Sequence, residues 1–462
     1  MGDVRVPADA LWGASTQRAV ENFPISGLRF PRVFIEALGL VKWACAEANV
    51  ELELLDRKLG GAIAAAAKEV AAGRHDGQFP LDIFQTGSGT STNTNANEVI
   101  ANLANVALGG AVGAKKPVHP NDHVNMGQSS NDVIPTAIHI AALLAIERDL
   151  VPALERLHGA LAAKARAWDG IVKSGRTHLM DATPIRLGQE FSGYASQVEH
   201  GVARVRATHR HLGELALGGT AVGTGINAHP DMPTKAIRRI AEATKLPLVR
   251  APNPFEAQAA QDALVEASGA LRTVAVSLFK IADDVRLMGS GPRTGLAELK
   301  LPELQPGSSI MPGKVNPVIP EAVLQVCAQV FGNDAAIAAS GLANHLDLCT
   351  MMPVMAHNLL QSVALLARAS EVFREKCIEG LEPNRDKIAR DAELSTAIVA
   401  RLNPIIGYDK AADLAKESMR TGKTVKELVI EKGILSREEA NRLLDPKALT
   451  EASTDTVGSG GG

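Results

Sequence analysis

Three features of the chain predict an all-α fold. Ala- and Leu-rich segments repeat apolar residues at three-to-four spacing over helix-like lengths. Aromatic residues are only 3% of the 462, and alternating β-branched runs are scarce. Polar stretches rich in Gly and Asn fall between the apolar segments, where loops belong. Together these read as helices packed into a bundle, with the chemistry on the connections.

Taken in order, the N-terminus Met1-Gly2-Asp3-Val4-Arg5-Val6-Pro7 has no apolar signal core. Val6 stands where a myristoylation signal wants Ser or Thr. Ile138 to Ala167 carries the first long helical period, with Pro135 and Pro152 expected to bound or bend it. Gln189 to Leu212, Glu256 to Leu287, Pro320 to Ala339 and Val354 to Phe373 repeat the pattern. Ala257 to Leu264 and Leu271 to Ile281 lack a wide polar face, so other helices must cover them, within the chain or between chains. Gln85 to Glu98, Val118 to Asp132, Lys173 to Gln189, Gly218 to Pro233 and Gly307 to Pro317 read as loops. After about Glu382 the chain turns more charged, with shorter helices stopped at Gly422 and Gly433, as in a small C-terminal domain. Val457 to Gly462 reads as a flexible tail.

Composition narrows the function. A net charge of −3 with 21% charged residues gives no general attraction to nucleic acid. No unbroken apolar run reaches about 18 residues, so no transmembrane helix is expected. Cys45, Cys327, Cys349 and Cys377 form no C-x-x-C pair, which fits a reduced, intracellular protein without an iron–sulfur cluster.

The richest stretch is Gly307-Ser308-Ser309-Ile310-Met311-Pro312-Gly313-Lys314-Val315-Asn316-Pro317. It gathers two hydroxyls, an ammonium and an amide on a backbone that two glycines leave free to bend around a small anion. A nucleotide loop, G-x-x-x-x-G-K-[ST], spaces its glycines more tightly and follows Lys with a hydroxyl; Val315 follows Lys314 here. Thr86-Gly87-Ser88-Gly89-Thr90-Ser91-Thr92-Asn93 offers neutral donors for a carboxylate, or a helix cap. Gly127-Gln128-Ser129-Ser130-Asn131-Asp132 places similar donors ahead of a helix, whose N-terminus suits an anion. In Ser174-Gly175-Arg176-Thr177-His178-Leu179-Met180-Asp181-Ala182, His178 is the best proton-transfer candidate among twelve histidines. His119 and His123 are spaced like metal ligands, but Pro120 lies between them and no third ligand is evident, so no metal site is assigned. Gly218 to Gly225 is glycine-rich without a βαβ setting, so it is not a dinucleotide site.

These loops, in this order and at these separations, resemble the fumarase/aspartase superfamily over nearly the whole chain. Gly307 to Pro317 matches its signature loop, Leu11 to Ala19 and Asn22 to Gly27 its N-terminal region, and Ile406 to Ala412 its C-terminal domain. Gln128-Ser129-Ser130-Asn131, Thr177 to Ala182 and His357 to Ser362 look like the iron-independent class II fumarases. Val318-Ile319-Pro320-Glu321 resembles aspartases at least as well, which keeps aspartate ammonia-lyase as the alternative. A catalytically silent crystallin-like relative is a third reading, opposed by the intact polar residues.

The resemblance implies an N-terminal domain over 1–128, a central helical-bundle domain over 129–385 and a small C-terminal domain over 386–462. It implies a homotetramer built on that bundle, with each active site shared by three subunits, and a cytoplasmic enzyme of the tricarboxylic acid cycle. The reaction would be reversible hydration of fumarate to L-malate without metal or organic cofactor. Ser308 would be the general base, Lys314 and Asn316 a carboxylate clamp, and His178 would act through water with Glu321 polarising it. Ser88, Gly89, Thr90, Ser129, Ser130, Asn131, Thr177, Ser309 and Val315 would complete the substrate site. A second dicarboxylate site would use His119, Pro120, Asn121 and Asp122, with Lys116 where the superfamily carries Arg.

Overall fold

Apolar stripes at helical spacing bury themselves by packing helix on helix, and the chain does so along most of its length. A computed structural model of the protein describes residues 2–452; the tail from Val457 to Gly462 lies outside them. The expected helices are present as Ser130–Ala145 and Val151–Ala167, Leu187–Ala207, Asp262–Met288, Val318–Leu342 and Met352–Phe373. Pro135 lies inside the first of these rather than ending it. A π turn, Ile146–Leu150, stands directly ahead of Pro152, whose nitrogen has no hydrogen to donate. Among the described residues strand is confined to three two-stranded sheets, so the all-α assignment holds in its main lines.

Two expected loops differ. The stretch 85–98 is loop only up to Gly89, whose φ of +71° opens the helix Thr90–Ala107. The stretch 173–189 is an antiparallel hairpin of Val172–Thr177 with Met180–Arg186, running into the helix Leu187–Ala207. Its pairing slips between Ser174 and Arg176, at Gly175, where an added Cβ would lie 2.5 Å from the carbonyl oxygen of Thr183.

The chain divides into two compact units whose limits fall inside long helices. One takes the chain up to Ala153, Gly201–Val276 and Gln325–Arg368; the other takes Leu154–His200, Ser277–Leu324 and everything from Ala369. In the first unit the helix Arg32–Glu51 packs on Arg57–Ala71, Ser130–Ala145 and Met232–Thr244. Phe34, Leu38, Val41 and Cys45 are wholly buried there, each such aliphatic or aromatic side chain contributing roughly 1.5–3 kcal/mol before chain entropy is subtracted. Gly39 permits the close approach, since a Cβ would sit 2.6 Å from the nitrogen of Ala71. The helix Ala14–Asn22 has no capping side chain of its own. Buried Glu98 caps it instead, accepting from Gly13 N (2.8 Å), Thr16 N (3.2 Å) and Thr16 Oγ1 (2.6 Å).

In the second unit, Phe191 packs edge-on between Trp168 and Tyr194, at centroid distances of 4.7 and 5.4 Å. The terminal helices close on their own core of Ile398, Leu402, Leu414, Val425, Leu428 and Val429. Thr424 and Ser436 start two of them with capping boxes, and Gly422 and Gly433 end helices at positive φ, as expected.

All four cysteines are free and buried, and burial pushes the thiols of Cys45, Cys327 and Cys377 up to about 12. Val318–Leu342 is, by length and mean hydropathy alone, apolar enough to cross a membrane, with 39% of that window buried in the chain; a core helix meets the same measure, so the expectation of no transmembrane helix is not overturned. Glu321, Gln325 and Gln329 interrupt the apolar run without lowering its average far enough. Its exposed positions include the small residues Ala322, Ala328, Gly332, Ala335, Ala338 and Ala339, beside Gln325, Gln329 and Leu342.

Candidate active site

The first unit holds a cradle of neutral donors. Gly87 packs against the 350 region so closely that a Cβ would lie 1.9 Å from the carbonyl oxygen of Thr350. This seats Ser88 and Thr90, whose hydroxyls hydrogen-bond at 2.8 Å. One of the two donates to the other, which leaves one O–H to offer a ligand. Ser129 caps the helix Ser130–Ala145 in a capping box with Asp132. Ser130 Oγ accepts from Asn93 Nδ2 at 3.1 Å, so its own hydrogen stays available, and Asn131 Nδ2 donates to Ala221 O at 2.8 Å. The segments 88–93 and 129–131 are thereby brought together.

Asp132 anchors the cradle from below. Its carboxylate accepts from Ser129 N (2.8 Å), Gly218 N (2.9 Å) and Thr220 N (3.0 Å). Complete burial still raises its pKa to about 6. The glycine-rich stretch from Gly218 thus serves to let backbone N–H groups reach this carboxylate.

The second unit holds the signature loop. Gly307 N donates to Lys314 O at 2.8 Å and Asn316 Nδ2 donates to Gly307 O at 2.7 Å, closing the loop. Inside it, the N–H groups of Ile310 and Met311 both point at Ser308 Oγ, at 3.2 and 3.1 Å. Two donors on one hydroxyl oxygen favour its negative form. Ser308 and Lys314 line a concavity of about 510 Å³. The exposed Lys314 ammonium enters no hydrogen bond or ion pair among the described residues. Ser309 and Val315 are exposed beside it, and half-buried Asn316 spends one amide hydrogen on loop closure.

Thr177 and His178 lie at the hairpin's end, fully outward. His178 and Leu179 form the two-residue turn with φ of +56° and +62°, a mirror-image hairpin turn that non-glycine residues enter only at a cost. No hydrogen bond joins His178 to Glu321 among the described residues of the chain. The hairpin is braced at its base by wholly buried Glu298, which pairs with Lys173 (2.7 Å) and Arg176 (2.6 Å).

At the candidate second site His119 caps the π turn Pro120–Val124, its Nδ1 accepting from Asn121 N (3.3 Å) and Asp122 N (3.2 Å). His123 Nδ1 accepts from His119 N at 2.8 Å, so both imidazoles turn one nitrogen to the backbone. Asn121, Asp122 and Lys116 are exposed; Pro120 is buried and offers a ligand nothing.

Sequence reasoning missed Lys42, Asn125 and Glu298. For Lys42 a signal exists: with Ile35 and Asn49 it forms a line at heptad spacing along a buried helix face.

A lyase family model matches residues 2–332, and the model described as fumarase C C-terminus matches 398–451. A class II fumarate hydratase of Mycobacterium tuberculosis is 58% identical over 457 residues, covering 98% of this chain and 95% of the relative. One from Halobacterium salinarum is 59% identical over 450 residues, covering 97% and 96%. Among solved structures, a class II fumarase from Schistosoma mansoni superposes with a TM-score of 0.94 at 36% identity, covering 97% of each chain.

Proposed function

This chain belongs to the class II fumarate hydratases and is a hydro-lyase, and we propose that it interconverts fumarate and L-malate through Ser308, His178, Lys314, Asn316 and Glu321. In the dehydrating direction Ser308, as the alkoxide, takes the C3 proton of L-malate. The electron pair moves into the adjacent carboxylate, giving an enolate-like dianionic group whose stability sets the barrier. The observation that carries this reading is the pair of N–H groups, Ile310 and Met311, aimed at Ser308 Oγ. They lower the cost of an oxygen anion that serine could not otherwise hold. Lys314, with no counter-charge among the described residues, meets the charge that accumulates, assisted by the remaining amide atoms of Asn316. The C2–O bond then breaks as His178 delivers a proton through water, leaving fumarate and a second water.

The other substrate carboxylate sits on Ser88, Gly89, Thr90, Ser129, Ser130 and Asn131, with Thr177, Ser309 and Val315 lining the remainder. His178 meets Glu321 across copies of the chain, in a homotetramer whose sites draw on three subunits. The exposed small-residue stripe of Val318–Leu342 supports such packing, because small residues let helices approach closely. The three segments 1–128, 129–385 and 386–462 serve as its domains, and the cytoplasm as its compartment. Lys116, His119, Asn121 and Asp122 form a weak second dicarboxylate site, since Lys lacks the bidentate fork of Arg. Relatives 58% and 59% identical that bear the hydratase name disfavour the ammonia-lyase alternative.

Replacing Ser308 with Ala is expected to cut turnover of L-malate by about 10³-fold with the fold unchanged. The measurement is fumarate absorbance with L-malate and L-aspartate in parallel. Near-normal turnover on malate would remove Ser308 from the base role.

A further inference from the structure

We propose that Lys42 is a positioning residue for substrate binding: its buried ammonium fixes the side chains of Asn125 and Gln128, and thereby the Ser129–Asn131 donors above them. This rests on the reading that Ser129, Ser130 and Asn131 bind a substrate carboxylate.

Lys42 is wholly buried in the helix Arg32–Glu51. Its Nζ donates to Asn125 Oδ1 and to Gln128 Oε1, both at 2.9 Å. Asn125 Oδ1 also accepts from Asn93 Nδ2 and Asn97 Nδ2, each at 3.2 Å, and Asn125 Nδ2 donates to Gln128 O at 3.0 Å. Asn93 in turn holds Ser130 Oγ. One ammonium therefore stands at the root of both routes into the cradle, through Gln128 along the backbone and through Asn93 to the hydroxyl.

Its charge is not matched by an ion pair. Its hydrogen-bond acceptors are neutral amides, and no carboxylate lies within ion-pairing distance among the described residues. A buried cation without a contacting anion is costly for the protein alone. It becomes useful when a dianion arrives above it, because charges separated by protein are screened far less than in water. The titratable groups facing it are Cys45 on its own helix and buried Asp132 on Ser130–Ala145. The facing residues of Thr90–Ala107, Asn93 and Asn97, are neutral. Lys68 and Arg239, on the neighbouring helices, pair instead with Glu47 at 3.3 and 3.5 Å. On the π turn, His123 is engaged by His119 N and Asp122 is exposed. Burial draws the Lys42 pKa down to about 7. The ligand's charge favours the protonated form, so binding above that pH takes up a proton and weakens as pH rises.

The test compares Lys42→Met and Lys42→Gln with the unaltered enzyme and with Asn131→Ala. Lys42→Met is expected to raise the KM for L-malate about tenfold with kcat changed less than about threefold. Lys42→Gln, which keeps one donor, is expected to fall between. Both should flatten the rise of KM with pH above about 7. A variant that loses thermal stability but keeps KM and its pH dependence would reduce Lys42 to a structural part and overturn the proposal. If neither variant folds, calorimetric titration of the unaltered enzyme with succinate at about pH 8, in buffers of different ionisation enthalpy, decides. Proton uptake supports the assignment; its absence overturns it. Asn131→Ala separates the two readings. If it leaves KM unchanged, the carboxylate cradle itself is misassigned; if it raises KM while Lys42→Gln does not, only the role of Lys42 fails.

Discussion

His178 stands exposed at the hairpin end, in a turn where both residues have positive φ. No hydrogen bond or ion pair among the described residues holds its side chain, which fits the proposed catalytic role better than a structural one. His178→Asn is therefore expected to lower kcat by about 10²–10⁴-fold. Stability should change by no more than about 0.5 kcal/mol, as for other surface substitutions. Steady-state assay beside thermal unfolding checks this, and unfolding without a specific rate loss would make it a structural histidine. Ser308, Lys314 and the neutral groups of 88–90 and 129–131 stood out as candidates in the sequence because glycine and hydroxyl, with a charge in the first case, fall together in short spans. Lys42 was not, because its partner Asn125 is 83 positions away and an isolated lysine in an apolar helix shows no partner in sequence.

Helix periodicity carried most of the architecture, since amphipathic stripes survive in sequence whatever they pack against. The hairpin at 172–186 was hidden for an equally physical reason. Its turn is His178-Leu179 rather than the Asn-Gly or Asp-Gly pair that announces such turns, and its strands are short and interrupted by Gly175. The signature loop makes its own demand. A Cβ on Gly307 would lie 2.3 Å from Lys314 O, against the hydrogen bond that closes the loop. Gly307→Ala is expected to lower kcat/KM by about tenfold or more through misplacement of Ser308. The thermal midpoint should barely move, because the loop is largely exposed. Kinetics and calorimetry on the same sample decide it; unaltered kcat/KM would mean the loop tolerates another closed form.

Over the whole molecule, the proposed packing surface is the exposed side of Val318–Leu342, an apolar helix with only 39% of its most apolar window buried in the chain. Ala335 lies exposed there. Ala335→Glu places a charge where close helix packing is proposed, and burying an unpaired carboxylate costs several kcal/mol, about enough to dissociate subunits. If the proposed tetramer packs there, light scattering is expected to show smaller particles for this variant, and malate dehydration to fall with it. A fully active tetramer carrying Glu at this position would move the interface elsewhere. The limits of the compact units leave no mark in the sequence, because they fall inside continuous helices such as Leu187–Ala207 and Asp262–Met288, whose apolar periodicity does not change there.

The buried thiols carry a practical consequence. With Cys45, Cys327, Cys349 and Cys377 enclosed and all held in the unreactive thiol form, the native chain is nearly inert to alkylating dyes. A cysteine introduced at exposed Leu179 would then be the address for a fluorophore, one residue from His178, where a change of emission on adding L-malate would report on the proposed site.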